Sequence, residues 1–422
     1  MGIGLTVAIA FATSPMVKTH GAVLHETVGH WDTALDLYLR LPENRRSNIP
    51  DFSSRIHRCV RFSNQFQRHR DPAFQKYVLT LSLADALDLY SDVIEKLVRL
   101  YTDADRAVPS KLFQLGRDEL AQALQNPTFN SRNLKGVESN RIQVVRAWLL
   151  RFQIPPLASQ REIRSAVRDV AVGMRETLPS VDPSAIILEF LNGACTGLDE
   201  QTVYYPPGSV QKPLPGATVV NSSIVDDRHG IGYIHITEFQ DTTAAEFDAA
   251  LSMLRSQNIR ALIVDLRGNP GGLLTSSIEL SRRLLPAGVI VRTTGQSPEF
   301  ANRTFESETG MSAIDLPLVV IVDMGTMSAA EVFAAAMKEN TRGTLVGTRT
   351  FGKGTVQVPL KTIDAHRNKS QGTLILTVAR TSSPNGQSLA NGIVPNIIER
   401  DPQQQLKVAQ DQAAAMVSAN RP

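Results

Sequence analysis

Ala261-Leu-Ile-Val-Asp-Leu-Arg-Gly-Asn-Pro-Gly-Gly272 is the stretch on which the reading of the fold turns. Ala261 to Leu266 reads as a strand, the glycines after it suit a tight turn, and Ser276 to Leu285 reads as a helix. The same alternation runs through the second half of the chain. Strands are expected at Gly232–Thr237, Val289–Thr294, Leu318–Asp323, Thr344–Gly347, Thr355–Leu360 and Thr373–Ala379, all rich in Val, Ile and Thr. Helices are expected at Ala244–Gln257 and Ser328–Asn340, the first with a start signal in Thr243 and Glu246. Such alternation predicts an α/β domain with substantially parallel strands, whose sites gather where strands end and helices begin.

The first half reads differently. Leu79, Leu83, Leu87, Tyr90, Ile94, Leu97 and Leu100 draw one apolar stripe along a helix of about seven turns, which is core. Further helices are expected at Trp31–Leu41, Leu112–Leu124, Arg141–Phe152, Gln160–Thr177 and Pro183–Leu198, separated by prolines such as Pro42, Pro109, Pro127 and Pro179. Gly29 to Tyr38 resembles one tetratricopeptide helix, but no 34-residue recurrence follows, so no repeat is assigned. The expected organisation is a signal-like apolar segment over 1–17, a helical region over 18–203, a Pro/Gly-rich linker and incoming strand over 204–230, a core over 231–400, and a polar tail or helix over 401–422.

Composition excludes several classes. With 422 residues, 42% apolar and 20% charged, the chain can build two or three domains and is not disordered. Its 44 basic and 41 acidic residues give +3, no field for recruiting nucleic acid or acidic membranes. The two cysteines, Cys59 and Cys195, form neither a metal cluster nor a CxxC pair; they read as buried thiols, with a single bridge unforced. Ile3–Phe11 has the length of a signal h-region, and Ala10-Phe-Ala12 fits an A-x-A cleavage site. A basic n-region is missing, so the segment reads equally as a buried first helix or a frayed start. No other stretch reaches the roughly 18 apolar residues needed to cross a bilayer.

Two strand-to-helix junctions carry candidate chemistry. In Asp265-Leu-Arg-Gly-Asn-Pro-Gly-Gly272 the backbone N–H groups could hold an oxyanion, and the same residues equally make a turn that needs glycine. G-x-G-x-x-G is missing, which excludes a dinucleotide fingerprint. In Ser328-Ala-Ala-Glu331 the spacing is that of a capping box, which needs no chemistry. A helix N-terminus also stabilises negative charge, so a serine there can attack a carbonyl while nearby amides receive the oxyanion.

Lys353, in Thr350-Phe-Gly-Lys-Gly-Thr-Val-Gln357, is the candidate base for that serine. An ordinary lysine titrates near about 10.4, so a neutral amine at pH 7 requires a shift of about three units, or roughly 4 kcal/mol against the ammonium. An apolar, partly dry site can supply it. Gln357 lies four residues on; on an extended segment it shares a face with Lys353 and could orient the amine. Without Ser328, Lys353 reads as a solvated loop lysine.

Other schemes fit less well. His25-Glu-Thr-Val-Gly-His30 approaches a zinc-protease HExxH motif, but its histidines are five apart and do not share one helical face. No metal site is assigned. A Ser-His-Asp triad would need His229, His235 or His366 brought in by folding, and those read as satisfied core or surface histidines.

Taken together, Gly232-Tyr-Ile-His-Ile-Thr-Glu-Phe239, Asp265–Gly272, Ser328–Glu331, Thr350–Gln357 and Asn391-Gly-Ile-Val-Pro395 resemble, in order and spacing, the carboxyl-terminal processing, or tail-specific, serine proteases of peptidase family S41. Leu191-Asn-Gly-Ala-Cys-Thr-Gly-Leu-Asp-Glu200 is more weakly similar to the family's helix before its PDZ module. The resemblance implies a crotonase-like (ClpP-like) β-β-α core and a Ser-Lys dyad on Ser328 and Lys353. It also implies support from Gln357 and oxyanion amides at Gly272 and Ala329. It further implies no cofactor, protein or peptide substrates, and a location outside the cytoplasm, periplasmic in bacteria; oligomers are compatible with it.

The chain departs from the family pattern. Only about thirty residues separate Asp199 from Gly232, which leaves no room for a PDZ domain and puts tail recognition in question. The run before the serine is altered to Gly325-Thr-Met-Ser328, and Ala330 stands where serine is common. Two further readings follow from the same core: a catalytically silent binding or scaffold protein, and an acyl-CoA enzyme, the latter disfavoured by the joint presence of Ser, Lys and Gln.

Overall fold

The computed structural model describes residues 15–41, 45, 49–78, 80–153, 156–209, 218–308, 314–364 and 369–419. The apolar segment Ile3–Phe11 and the stripe's first residue, Leu79, lie outside them. The chain divides into two compact units: Met1–Val98 with Asp105–Gln211 and Pro359–Leu376, and Arg99–Ala104 with Lys212–Val358 and Thr377–Pro422.

The first unit is helical. Its elements are α1 (Pro15–Thr27), α2 (Trp31–Leu39), α3 (Phe52–Arg70), α4 (Pro72–Val78), α5 (Leu83–Leu100), α6 (Pro109–Ala123), α7 (Pro127–Asn133), α8 (Ser139–Arg151), α9 (Gln160–Thr177) and α10 (Pro183–Thr196), followed by the short strand β1 (Val203–Tyr205). Of the prolines read as breaks, Pro109 and Pro127 stand at helix starts, where a residue without an N–H costs nothing in the first turn, and Pro179 follows the end of α9. Asn126 caps α7 by accepting from Thr128 N at 2.9 Å, and Asp182 caps α10 by accepting from Ser184 N at 2.8 Å. Ser159 and Glu162 form a reciprocal capping box on α9. On α5 the predicted stripe is buried at Leu87, Tyr90, Ile94 and Leu97. That helix begins at Leu83 and is shorter than the seven turns expected.

Helix α3 was not expected, and its composition explains why. Arg61, Gln65, Arg68 and His69 occupy the face that apolar residues would normally fill. Arg61 and Arg68 reach the fully buried Glu119 at 2.7 and 3.1 Å, Arg68 reaches buried Glu189 at 2.8 Å, and Gln65 donates to Glu119 Oε1 at 2.9 Å. Burial alone would raise the Glu189 carboxyl, but the Arg68 guanidinium and His69 outweigh it and hold it below the ordinary range. Cys59 and Cys195 are both buried free thiols, the first pushed up to about 12 by burial.

The second unit contains β2 (Val220–Asp226), β3 (Ile231–Ile236), α11 (Thr243–Ser256), β4 (Ala261–Asp265), α12 (Leu274–Leu284), β5 (Gly288–Gly295), β6 (Arg303–Ser307), β7 (Leu318–Val322), α13 (Ala329–Glu339), β8 (Thr344–Gly347), parts of β9 (Thr355–Asp364) and β10 (Lys369–Ser382), β11 (Ile397–Ile398) and α14 (Pro402–Ala419). Its main sheet runs β11-β8-β7-β4-β3-β2, parallel throughout except for the antiparallel edge pair β2–β3. β4 and β7 are buried at every position, because both faces of the sheet are covered. Leu262, Val264 and Val320 pack with Phe247, Leu251, Leu280 and Phe333 of α11, α12 and α13; Ala261, Ile263, Val319 and Ile321 pack with Ala409, Ala413 and Val417 of α14.

Two expectations change here. Strands near 289–294, 355–360 and 373–379 do not join the parallel sheet: residues 379–382 of β10 pair antiparallel with β5, which pairs antiparallel with β6. Within the helical unit, residues 373–375 of β10 pair antiparallel with β1. Thr243 and Glu246 do not cap α11. The Glu246 carboxylate instead accepts from Val219 N and Val220 N at 2.9 and 3.2 Å, so it holds the start of β2.

The parallel register positions everything that follows. Asp265 pairs with Ile321 and Val322 with Gly347, so β4, β7 and β8 end at one edge of the sheet. Their outgoing loops carry the three motifs singled out from sequence.

Candidate active site

At that carboxyl edge the loop from β7 makes a sharp turn into α13. Ser328 sits on the turn at φ 54° and ψ −118°, a left-handed region that costs a non-glycine residue about 1–3 kcal/mol. Strained strand-to-helix turns of this kind expose nucleophilic serines in other hydrolase folds. The loop is held from several sides. Thr326 Oγ1 donates to Leu266 O at 2.8 Å, Met327 N to Asn269 O at 2.9 Å, and Gly268 N to Asp323 Oδ1 at 2.9 Å.

The glycine loop after β4 lies directly against the serine. A Cβ on Gly271 (φ +102°) would stand 2.7 Å from Ser328 Cβ and 3.0 Å from Ala329 N, so only glycine fits this approach. Buried Asn269 shapes the turn, accepting from Gly271 N at 2.8 Å and donating to Ile236 O at 2.8 Å. Phe239 N donates to Gly271 O and Leu273 N to Phe239 O, which fixes the Gly271–Gly272 peptide beside Ser328. Among the described residues, no acceptor takes the amide hydrogen of Gly272 or of Ala329. Asp265 and Arg267, at the head of the same loop, brace it. Buried Asp265 accepts from Arg267 Nε and Nη2 at 3.0 and 2.6 Å and from Tyr233 Oη at 2.7 Å. Burial beside that carboxylate pushes the Tyr233 phenol well up from its usual value.

The capping motif does something the sequence did not reveal. Glu331, fully buried on the first turn of α13, accepts from Ser328 N at 2.9 Å, Lys353 N at 2.8 Å, Gly352 N at 2.7 Å and Thr350 Oγ1 at 2.6 Å. Its carboxylate therefore joins the serine turn to the Lys353 loop. Phe351 N adds a bond to Thr326 O at 3.1 Å. Beneath, Ile393 of the Asn391–Pro395 motif donates its N–H to Thr350 Oγ1 at 2.7 Å. Ser328, Lys353 and Gln357 are all half-buried.

Lys353 stands in the loop just before β9, and Gln357 is on that strand. Gln357 Nε2 donates to Thr355 Oγ1 at 2.8 Å and, more weakly, to Thr377 Oγ1 at 3.4 Å. Of the histidines considered for a triad, His229 pairs with Asp226 at 2.8 Å, His235 lies on β3, and His366 is outside the described residues. Leu273, Met324 and Phe351 stand exposed on the three loops that meet at Ser328, 43%, 70% and 58% accessible. Charge gives no sign of these three in the sequence; they follow only once the loops are known to meet.

The sequence profile of peptidase family S41 matches residues 230–398. The chain is 36% identical over 199 residues to a carboxyl-terminal-processing protease of Synechocystis sp., across 46% of this chain and 44% of the relative. It is 34% identical over 179 residues to a carboxy-terminal-processing protease of Bartonella bacilliformis, across 41% and 39%. Among solved structures, a photosystem II D1 C-terminal processing protease is 30% identical over 44% of this chain and 47% of its own, with a TM-score of 0.35, too low to speak for a shared fold. The chain spans less than half the length of these curated relatives. The match to peptidase family S41 spans residues 230–398, the segment that carries every element of the site.

Proposed function

We propose that this protein is a serine peptidase with a crotonase-like catalytic core that hydrolyses peptide bonds in protein substrates through a Ser328–Lys353 dyad. Neutral Lys353 takes the proton of the Ser328 hydroxyl, and the oxygen attacks the substrate carbonyl. The amides of Gly272 and Ala329 stabilise the oxyanion, the amine departs with a proton from Lys353, and water resolves the acyl-enzyme by the same route. With Gln357 Nε2 committed to Thr355, its Oε1 is the atom that accepts from the lysine amine. No cofactor takes part in these steps.

The observation that carries this reading is the conjunction at Ser328: a strained turn at a helix start, two nearby amides that meet no acceptor among the described residues, and a buried carboxylate binding its backbone and that of Lys353. The exposed Leu273, Met324 and Phe351 suit extended, unfolded segments with apolar side chains. Mass spectrometry of a disordered protein incubated with the wild type and with Ser328→Ala tests activity and bond preference together. Fragments from the wild type alone support the assignment; equal fragments from both refute it.

A further inference from the structure

His25-Glu-Thr-Val-Gly-His30 fails as a zinc-protease motif because histidines five apart diverge on a continuous helix. The helix is not continuous. Helix α1 ends at Thr27, and Gly29 adopts φ +78°, so Gly29 N donates to Glu26 O at 3.1 Å and His30 N donates back to His25 O at 2.8 Å. This closure is a Schellman-type ending, and it folds His30 over His25. The two Nδ1 atoms come to 3.3 Å of each other, with ring centroids 5.5 Å apart and planes inclined by 33°.

We infer that His25 and His30 form a two-imidazole site for a divalent transition metal of the zinc class, bound through both Nδ1 atoms. Tetrahedral Zn²⁺ with Zn–N distances of about 2.0–2.1 Å requires its nitrogens to stand about 3.3–3.4 Å apart, which is the spacing present. Without metal, the same 3.3 Å spacing is bridged by an N–H···N hydrogen bond whose donor is set by the tautomer, and a metal ion would replace that shared proton. The turn fixes the main chain of the two histidines through backbone bonds, so binding need order only their side chains.

Glu26, between the two histidines in sequence, is not a third ligand. It is buried and already accepts from Tyr38 Oη at 2.7 Å, Arg55 Nη1 at 2.6 Å and Arg58 Nη1 at 3.0 Å. The remaining coordination positions fall to water, because His30 is exposed and His25 is half-buried. Imidazole ligands favour Zn²⁺, Ni²⁺ and Cu²⁺ over Mg²⁺ or Ca²⁺.

The test uses the full chain, stripped of metal and titrated calorimetrically with Zn²⁺ and Mg²⁺, beside His25→Ala, His30→Ala and the control His57→Ala. The wild type and His57→Ala should each take up one more equivalent of Zn²⁺ than either of the other variants, or bind it at least tenfold more tightly; Mg²⁺ should give no such difference. Zn²⁺ should raise the melting temperature of the wild type and leave both variants where they were. Melting curves without metal report whether each variant is folded. Nitrogen hyperfine coupling of Cu²⁺ bound to the wild type gives a readout independent of the variants, with two imidazole nitrogens expected. Equal uptake by all four proteins, or no uptake by the wild type, overturns the inference and leaves the contact a pair of stacked surface imidazoles.

Discussion

The backbone N–H groups of Ser328 and Lys353 donate to the same atom, Oε2 of Glu331, at 2.9 and 2.8 Å. Two amides sharing one oxygen at those distances lie within about 6 Å of each other. The relationship joins a helix start to a loop after the next strand of the sheet, and it makes Glu331 a positioning residue for both members of the proposed dyad.

Glu331→Gln places an NH₂ group where only acceptors are needed, facing donors from Ser328, Gly352, Lys353 and Thr350. Leaving a buried donor unpaired costs about 1–3 kcal/mol, so the melting temperature should fall. Peptidase kcat should fall by more than tenfold while KM changes little, because the exposed residues around the site are untouched. Steady-state kinetics beside thermal melts separates the two effects.

Gly271→Ala is expected to damage the site more than the fold. Its new methyl would sit 2.7 Å from Ser328 Cβ, and its backbone at φ +102° disfavours any side chain. A displacement of about 1 Å at the nucleophile can cost about 10²-fold in rate. Gly268→Ala, where a Cβ meets nothing within 4 Å but φ is +67°, isolates the backbone cost from the clash.

Met324→Ser and Phe351→Ser should raise KM for apolar peptides without lowering kcat. Both side chains are exposed, so stability should change by no more than about 0.5 kcal/mol. An unchanged KM in both variants removes these residues from substrate contact.

Glu189→Ala leaves Arg68 buried without one of its two carboxylates, which should cost about 3–5 kcal/mol in the helical unit. The native Glu189 carboxyl lies below its ordinary range, so its contribution is fully present above the unfolded carboxyl pKa of about 4.3 and is lost as pH falls through the folded value. Acid denaturation monitored by circular dichroism should show that loss in the wild type and a smaller pH dependence in Glu189→Leu.

Much of the second half of the chain was legible because its signals are local. Apolar runs such as Ala261–Val264 and Leu318–Val322 mark strands wherever they fall, and the glycines and serine after them mark turns. What sequence could not supply was the pairing of distant segments. Glu331 read as a cap, since nothing in Ser328-Ala-Ala-Glu331 announces that Thr350, Gly352 and Lys353 share its carboxylate. Helix α3 was missed because Arg61 and Arg68 are buried only in partnership with Glu119 and Glu189, which lie on helices far along the chain. His25 and His30 read as diverging, because periodicity assumes a helix that Gly29 ends.

The most direct measurement is the mass spectrum of a disordered protein after incubation with the wild type, Ser328→Ala and Lys353→Ala, each first shown to melt as the wild type does. The account predicts defined fragments from the wild type and an intact substrate with both variants. Fragments of the same sequence and yield from either variant would contradict it.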